Sequence, residues 1–155
     1  IIREYSNLAF HGMRANKNPI NVDIQLELDE SLPLIDLNAE DFSRVILNLA
    51  KNAFDAMRDK INSVGSEYKA KLTFRTKVLK NNILFEVEDN GPGVPEEIKG
   101  KLLMPFFTTK KGTEGTGLGL SITHDIIKSH GGSLVIESEV DSFTRFKIVL
   151  PISSN

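Results

Sequence analysis

RVILNLAKNAFDAM, residues 44–57, is the stretch whose reading decides the fold. At about 100° per residue, Val45, Ile46, Leu49, Ala53 and Met57 fall on one side of a helix, joined one turn earlier by Phe42. Beside that apolar face, Asn48, Asn52 and Asp55 share a stripe about 60° wide. Asparagine is a poor helix former because its side chain competes for backbone hydrogen bonds. Two of them one turn apart are either a tolerated wet face or side-chain carbonyls that meet a hard cation and order its waters. Mg2+ takes oxygen ligands and keeps several waters when it sits on phosphates, so one protein ligand is then enough.

Working outward, Asn38 is a suitable N-cap, with Asp41 near the first turn's amides, and the helix runs to about Asn62. Upstream, Val22, Ile24, Leu26 and Leu28 alternate with polar residues as in a half-buried strand, which Pro33 closes. Ile2, Tyr5, Leu8 and Ala9 recur at helical spacing, so residues 1–14 read as the end of a helix arriving from upstream. Residues 1–20 are expected to be that trailing end or linker, and 21–155 the domain. Because the chain begins at Ile1 rather than Met, it reads as a fragment of a longer protein.

Downstream, Gly65 and Ser66 mark a loop. Leu72 to Val78 and Ile83 to Val87 alternate around a turn at Asn81-Asn82, which predicts a β-hairpin. Gly91, Pro92, Gly93 and Pro95 enforce a loop. A short helix fits Glu96 to Leu103, and a long one Leu118 to Ser129 with Gly131-Gly132 as its C-cap pair. Ser133–Ser138 and Thr144–Leu150 read as the closing strands. Helices interspersed with hairpins, rather than with single strands, favour a two-layer α+β sandwich with a mixed sheet.

The bulk properties agree with one globular domain. The chain has 155 residues, 40% of them hydrophobic and 26% charged, with a formal net charge of -2. That balance argues against a nucleic-acid binder, which would show a basic face. Cysteine is absent, so disulfides and thiolate metal sites are excluded. No apolar run is long enough to span a bilayer.

Three further segments carry chemistry. In FEVEDNGPGV (85–94) a strand ends at Asp89. The segment reads as a simple Asp-Asn-Gly turn, or as a base-binding corner. A carboxylate there accepts a hydrogen bond from the exocyclic amine of adenine and disfavours guanine, which offers a carbonyl at that edge, while the glycines let backbone approach the flat base. In GTEGTGLGLSIT (112–123), Gly115, Gly117 and Gly119 lie at the mouth of the second long helix. They form a flexible hinge or a phosphate cradle of backbone amides. No Gly-Lys-Ser/Thr follows, so this is not a P-loop. Leu120 stands where a dinucleotide fingerprint needs its third glycine. PFFTTKKG (105–112) is either a loop plugged into the core by Phe106 and Phe107 or a lid over phosphates carrying Thr108, Thr109, Lys110 and Lys111. His11, His124 and His130 lack metal-ligand spacing and read as structural or surface residues. Glu86 and Glu88, flanking Asp89 in the strand, read as solvated.

Taken together, these segments resemble the catalytic ATP-binding domain of two-component sensor histidine kinases, in the superfamily that also holds gyrase B, the heat-shock chaperone ATPases and the mismatch-repair MutL proteins. NLAKNAFDAM (48–57) resembles the N box, DNGPGV (89–94) the first glycine box, PFFTTK (105–110) the F box and GTGLGLSIT (115–123) the second glycine box. HGGSL (130–134) and FKIVLP (146–151) also match, all in the family's order. The resemblance runs from about Val22 to Pro151. It implies the Bergerat-type fold, a two-layer α/β sandwich with helices on one face of a mixed sheet.

It also implies a site. Asn52 is similar to the family's Mg2+ ligand, and Asn48 would lie near the phosphates and the metal's waters. Asp89 would bind the adenine amine, with Gly91, Gly93 and Val94 beside the base. Phe106 and Thr109 would come from the lid, and Gly115, Thr116, Gly117, Leu118 and Gly119 would offer amides to the phosphates of ATP. Asn48 and Lys110 are the expected catalytic pair. The hydrolysing cousins carry glutamate one turn before the metal asparagine. Asn48 is an amide with no basic pair, which disfavours water attack and favours transfer to a phosphoacceptor. Many kinases of the family place lysine and tyrosine where this chain has Asp55 and Ala56, matching another subgroup with Asn-Ala-x-Asp-Ala. The side chain that stacks on adenine is thereby left open, and the phosphate cation falls to Lys51, Lys110 or Lys111.

The family's acceptor histidine is followed by an acidic residue and soon a proline. His11 is followed by Gly12 and Met13, so the acceptor helix is expected elsewhere in the parent protein. The implied partners are its own phosphoacceptor and dimerisation segment, within a homodimer, and the receiver domain of a response regulator; no nucleic acid is expected. The domain is expected in the cytoplasm, under a parent that can be membrane-anchored. The competing readings are an ATP-driven conformational switch or ATPase, a protein-serine kinase of the same superfamily, and a degenerate nucleotide-binding regulator. The intact glycines and both asparagines argue against the last.

Overall fold

A computed structural model describes residues 2–15, 19–31, 38–65, 67–104 and 119–152. The element order is α1 (Ile2–Arg14), β1 (Val22–Glu27), α2 (Ala39–Val64), β2 (Ala70–Val78), β3 (Asn82–Asp89), α3 (Glu96–Lys99), α4 (Gly119–Ser129), β4 (Ser133–Glu139) and β5 (Phe143–Pro151). Pro33 and Ser66 lie outside the described residues.

α2 begins where its sequence says it should. The Asn38 side-chain oxygen accepts from the Asp41 amide at 3.0 Å, and Glu40 and Asp41 put negative charge on the first turn, which favours the helix macrodipole. It ends at Val64, two residues beyond the expected Asn62, and the N–H of its C-cap Gly65 reaches the Ile61 carbonyl at 2.9 Å. Phe42, Val45, Ile46, Leu49, Ala53 and Met57 are all buried. α1 packs on α2, with Met13 and Ser6 buried and the Phe10 ring edge-on to Phe54 at 6.5 Å.

The sheet is mixed, in the order β1-β2-β3-β5-β4. β1 runs parallel to β2 (Ile24 opposite Leu72), and every other pairing is antiparallel. The hairpin expected between residues 78 and 83 is present. Its turn spans Leu79 to Asn82, closed by the Leu79 amide on the Asn82 carbonyl at 2.8 Å. Lys80-Asn81 are therefore its centre, one residue earlier than expected, and Asn82 already belongs to β3.

Strand parity does most of the positioning. Along β3, Ile83, Phe85, Val87 and Asp89 face the helices, and Leu84, Glu86 and Glu88 face away. The helices cover this one face, so the core is a layer of Leu49, Ala53 and Met57 over Leu72, Phe74, Phe85, Val87, Phe146 and Ile148. Phe74 and Phe85 stack at 6.3 Å. Each of the larger side chains in this layer contributes about 1.5–3 kcal/mol on burial. α4 closes in a Schellman motif: Gly131 has φ 76°, its N–H donates to Lys128, and Gly132 donates to Ile127 at 2.9 Å. This is the C-cap pair the sequence predicts.

The outward face corrects one expectation. Glu86 and Glu88 are not merely solvated. Glu88 accepts from Arg75 at 3.0 Å and Arg145 at 2.6 Å, while Arg75 also holds Glu27 and Arg145 also holds Glu137. Burial would raise the Glu88 pKa, but its hydrogen bonds and charge pairing with the two arginines hold it below the usual value. These residues sit on neighbouring strands (Arg75 opposite Glu86, Glu88 opposite Arg145, Glu137 opposite Arg145). One charged ladder thus stitches the uncovered side of the sheet.

Candidate functional site

Asn48, Asn52, Ala56 and Lys60 form a row on α2 at four-residue spacing. Adjacent members are neighbours on the helix surface. At its upstream end, the Asn48 carboxamide nitrogen donates to the Gly119 carbonyl at 3.3 Å and lies 3.5 Å from the Thr123 hydroxyl. That hydroxyl itself donates to the Gly119 carbonyl at 2.9 Å. With its N–H group directed there, Asn48 has only its carbonyl oxygen to offer a water or a cation. Asn52 follows one turn on, half-buried. At the downstream end, a Cβ added to Gly91 would lie 3.6 Å from Ala56 Cβ. The span from Asn48 to Ala56 is about 12 Å along the helix axis, room for a ligand with a base at one end and phosphates at the other.

Asp55 leaves this row. It accepts from Lys51 at 3.2 Å and Arg58 at 3.0 Å, and with them lines a cleft of about 240 Å³ between α1 and α2. Lys51 therefore shares its charge with Asp55.

Asp89 ends β3 on the core side and is 4% exposed. Its Oδ1 accepts the Gly91 amide at 2.9 Å. Burial pushes its pKa up to about 7; the Gly91 hydrogen bond pulls down, the Glu88 charge pushes up, and the Lys60 charge pulls down. A Cβ on Gly91 would come within 2.8 Å of that carboxylate oxygen. Gly93 has φ 74°, and a Cβ there would strike the Glu139 carbonyl. Only glycine fits both demands. The Val94 amide donates to Ser138 Oγ at 2.7 Å, and the Asp141 amide to the Pro92 carbonyl at 2.6 Å. The loop after β3 is thus seated on the turn between β4 and β5.

Sequence reasoning missed three residues that hold this corner. Lys60 donates to the carbonyls of Asn90, Gly91 and Asp141 and lies 4.7 Å from the Tyr68 ring centre. Asn90 Oδ1 accepts from the Tyr68 hydroxyl at 2.9 Å and the Lys71 amide at 2.8 Å, and its Nδ2 donates to the Lys69 carbonyl at 2.7 Å. Burial and the nearby Asp89 charge push the Tyr68 phenol's pKa up. The four-residue spacing from Asn48 was the available signal for Lys60.

Phe106, Phe107, Thr108, Thr109, Lys110, Lys111, Gly115, Thr116, Gly117 and Leu118 lie outside the described residues. Among the described residues no cluster of three or more His, Cys, Asp or Glu side chains could hold a metal. The neutral carboxamide oxygens of Asn48 and Asn52 suit the other arrangement, a cation carried in on phosphates and met by few protein ligands. His130 is structural: its Nδ1 lies 2.9 Å from the Ile126 carbonyl and its ring packs edge-on to Phe42. No helix among the described residues is long and apolar enough to cross a membrane.

Comparison with known proteins places the fold in a family. Residues 37–154 match the family described as histidine kinase-, DNA gyrase B- and HSP90-like ATPase. The chain is 40% identical over 140 residues to the sensor kinase CckA of Brucella abortus (strain 2308), covering 85% of this chain and 15% of that protein. It is 35% identical over 142 residues to the sensory histidine kinase/phosphatase NtrB of Rhizobium leguminosarum bv. phaseoli, covering 87% of this chain and 36% of that one. It therefore spans only a minor part of each of these relatives. Among solved structures, the nucleotide-free catalytic domain of histidine kinase ThkA superposes with a TM-score of 0.77 at 31% identity, covering 97% of this chain and 91% of that one. Full-length ShkA in complex with AMPPNP shares the fold, with a TM-score of 0.77 at 20% identity over 99% of this chain and 30% of that one.

Proposed function

We propose what this domain does from one premise: the chain belongs to the histidine kinase-, DNA gyrase B- and HSP90-like ATPase family. It binds Mg-ATP and passes the γ-phosphoryl group to a histidine on a separate phosphoacceptor segment of its parent protein. The observation that carries this reading is the α2 row. It reaches Gly119 through Asn48 at one end and the corner after Asp89 through Lys60, on the Asn90 and Gly91 carbonyls, at the other.

The roles follow from chemistry. Asp89, as a carboxylate, accepts the adenine amine, and Gly91, Gly93 and Val94 let the loop backbone lie against the base. Asn52 supplies a carbonyl oxygen to Mg2+, which when bound neutralises charge on the phosphates. Asn48 orients water around that ion. By their resemblance to the family's boxes, Gly115, Thr116, Gly117, Leu118 and Gly119 are assigned to the phosphates, together with Phe106, Thr109 and Lys110. In the transfer, an imidazole nitrogen of the acceptor attacks γ-phosphorus in line while the bond to the bridging oxygen of ADP breaks, so the domain's task is positioning and charge stabilisation. An amide at position 48 cannot take a proton from water, which favours this outcome over hydrolysis.

On this reading the domain, about residues 21–155, works within a homodimer and beside a response regulator receiver domain. It lies on the cytoplasmic side of a parent that can be membrane-anchored. Binding of a fluorescent adenine nucleotide tests the site: affinity should depend on magnesium and collapse in Asp89→Ala and Asn52→Ala. Unchanged affinity in both variants would overturn the assignment. Acid-labile phosphate on an added acceptor protein indicates histidine transfer, and acid-stable phosphate indicates serine transfer.

A further inference from the structure

Lys60 makes an unusual set of contacts. Its ammonium has three N–H donors, and three backbone carbonyls receive them: Asn90 at 3.3 Å, Gly91 at 3.3 Å and Asp141 at 3.2 Å. Two of these belong to the corner that follows Asp89, and the third to the turn between β4 and β5. The two segments are some fifty residues apart in sequence (Gly91 to Asp141). The Tyr68 ring stands 4.7 Å away from the ammonium, and the Tyr68 hydroxyl in turn holds Asn90. A charged donor on three carbonyls makes stronger bonds than a neutral one would, and one side chain thereby ties three elements together.

We propose that Lys60 is a positioning residue for adenine recognition, its ammonium gathering the Asn90, Gly91 and Asp141 carbonyls and so fixing where the Asp89 carboxylate is presented. The inference rests on the reading of Asp89 as the acceptor of the adenine amine. Lys60 acts in two ways. It holds the corner mechanically, and its positive charge favours the ionised form of Asp89 against the burial that opposes it. Among the described residues, the titratable groups that interact with Asp89 are Lys60 from α2, Glu88 from its own strand and Tyr68 from the segment before β2. Its cross-strand neighbours, Leu72 and Thr144, are uncharged. Removing Lys60 therefore removes the cation that, among the described residues, counters Glu88 and burial, whereas a merely mechanical role would leave the ionisation of Asp89 unmoved.

The test measures adenine-nucleotide affinity between pH 5.5 and 9 for the whole chain and for Lys60→Met, Lys60→Arg and Asp89→Ala, with thermal melts to confirm folding. In the unsubstituted protein affinity should fall as pH drops through about 7, the region where Asp89 takes up its proton. Lys60→Met should bind about tenfold more weakly at neutral pH, with its midpoint moved to higher pH. Lys60→Arg, which keeps the charge, should restore the original midpoint. Should Lys60→Met melt below the assay temperature, Lys60→Gln, which keeps N–H donors without the charge, carries the same comparison. Wild-type affinity in the Met variant, or a weaker affinity with an unmoved midpoint, overturns the proposal. Wild-type affinity in Asp89→Ala overturns the underlying adenine reading instead, whatever the Lys60 variants do.

Discussion

The carboxamide of Asn48 donates to the backbone carbonyl of Gly119 at 3.3 Å, joining α2 to α4 across 71 positions of sequence. A residue expected to face only ligand is therefore also a tie between two helices. Asn48→Ala should cost about 1 kcal/mol of stability, the typical net worth of such a bond. Asn48→Asp should cost more, although it conserves shape, because a carboxylate oxygen would then face the Gly119 carbonyl. Chemical denaturation of both variants checks the order; an Asp variant as stable as the parent would show that the tie is absent in solution.

Asp89 makes the domain's stability depend on pH in a direction opposite to that of most carboxylates. Its folded pKa is about 7, above the ordinary aspartate value of 3.8. Its contribution is therefore fully present below about pH 4 and is lost as pH rises through about 7. Asp89→Asn should then stabilise the nucleotide-free domain at pH 8 by on the order of 1–3 kcal/mol, read as a higher melting temperature, and the gain should vanish toward pH 4. The same substitution should abolish adenine binding. A pH-independent change in melting temperature would count against the buried carboxylate.

Gly93 and Gly12 should respond oppositely to alanine. Gly93 has φ 74° and its new Cβ would strike the Glu139 carbonyl, with Val140 Cα 2.9 Å away. Both obstacles are backbone, so Gly93→Ala should cost at least about 2 kcal/mol. Gly12 lies inside α1 with nothing within 4 Å of the added atom, so Gly12→Ala should gain up to about 1 kcal/mol from helix propensity. Thermal melts of the pair provide the comparison.

The charged ladder on the open face yields a fourth expectation. Arg75 and Arg145 hold the pKa of Glu88 below its usual value, so its contribution is present above about pH 4.5 and lost as pH falls through the folded value. Glu88→Gln should cost about 1 kcal/mol at pH 7, less at pH 3, and less in high salt, because the pairs are only partly buried. Urea titrations at two pH values and two salt concentrations measure this.

Much of this domain was legible in its sequence because its signals are local. Asn38 caps α2 through a bond three residues away, and the alternation of Ile83, Phe85 and Val87 gives the face of the strand. Continuing that alternation places Asp89 inside. What escaped depends on distant pairing. Lys60 meets Asp141 across 81 positions and Arg145 meets Glu88 across 57. No periodicity encodes such contacts; they exist only once the strand order is known. Asp55 falls within the angular stripe of Asn48 and Asn52, yet it pairs with Lys51 and Arg58 of its own helix and lines the cleft between α1 and α2, a difference the angular spacing alone does not reveal.

The strand order has a consequence for how the polypeptide is born. β5 lies between β3 and β4, so the edge of β3 waits for partners made well over fifty positions later, from Thr144 opposite Asp89 to Pro151 opposite Asn82. On a ribosome, β1, β2 and β3 emerge with Phe85 and Val87 displayed beside an unpaired row of amides, a template for aggregation. The hairpin of β4 and β5 must arrive whole, and only its second strand fits the gap. Release of the segment through Pro151 is then the event that completes the sheet, and stalling before Phe143 should leave a nascent chain that depends on chaperones.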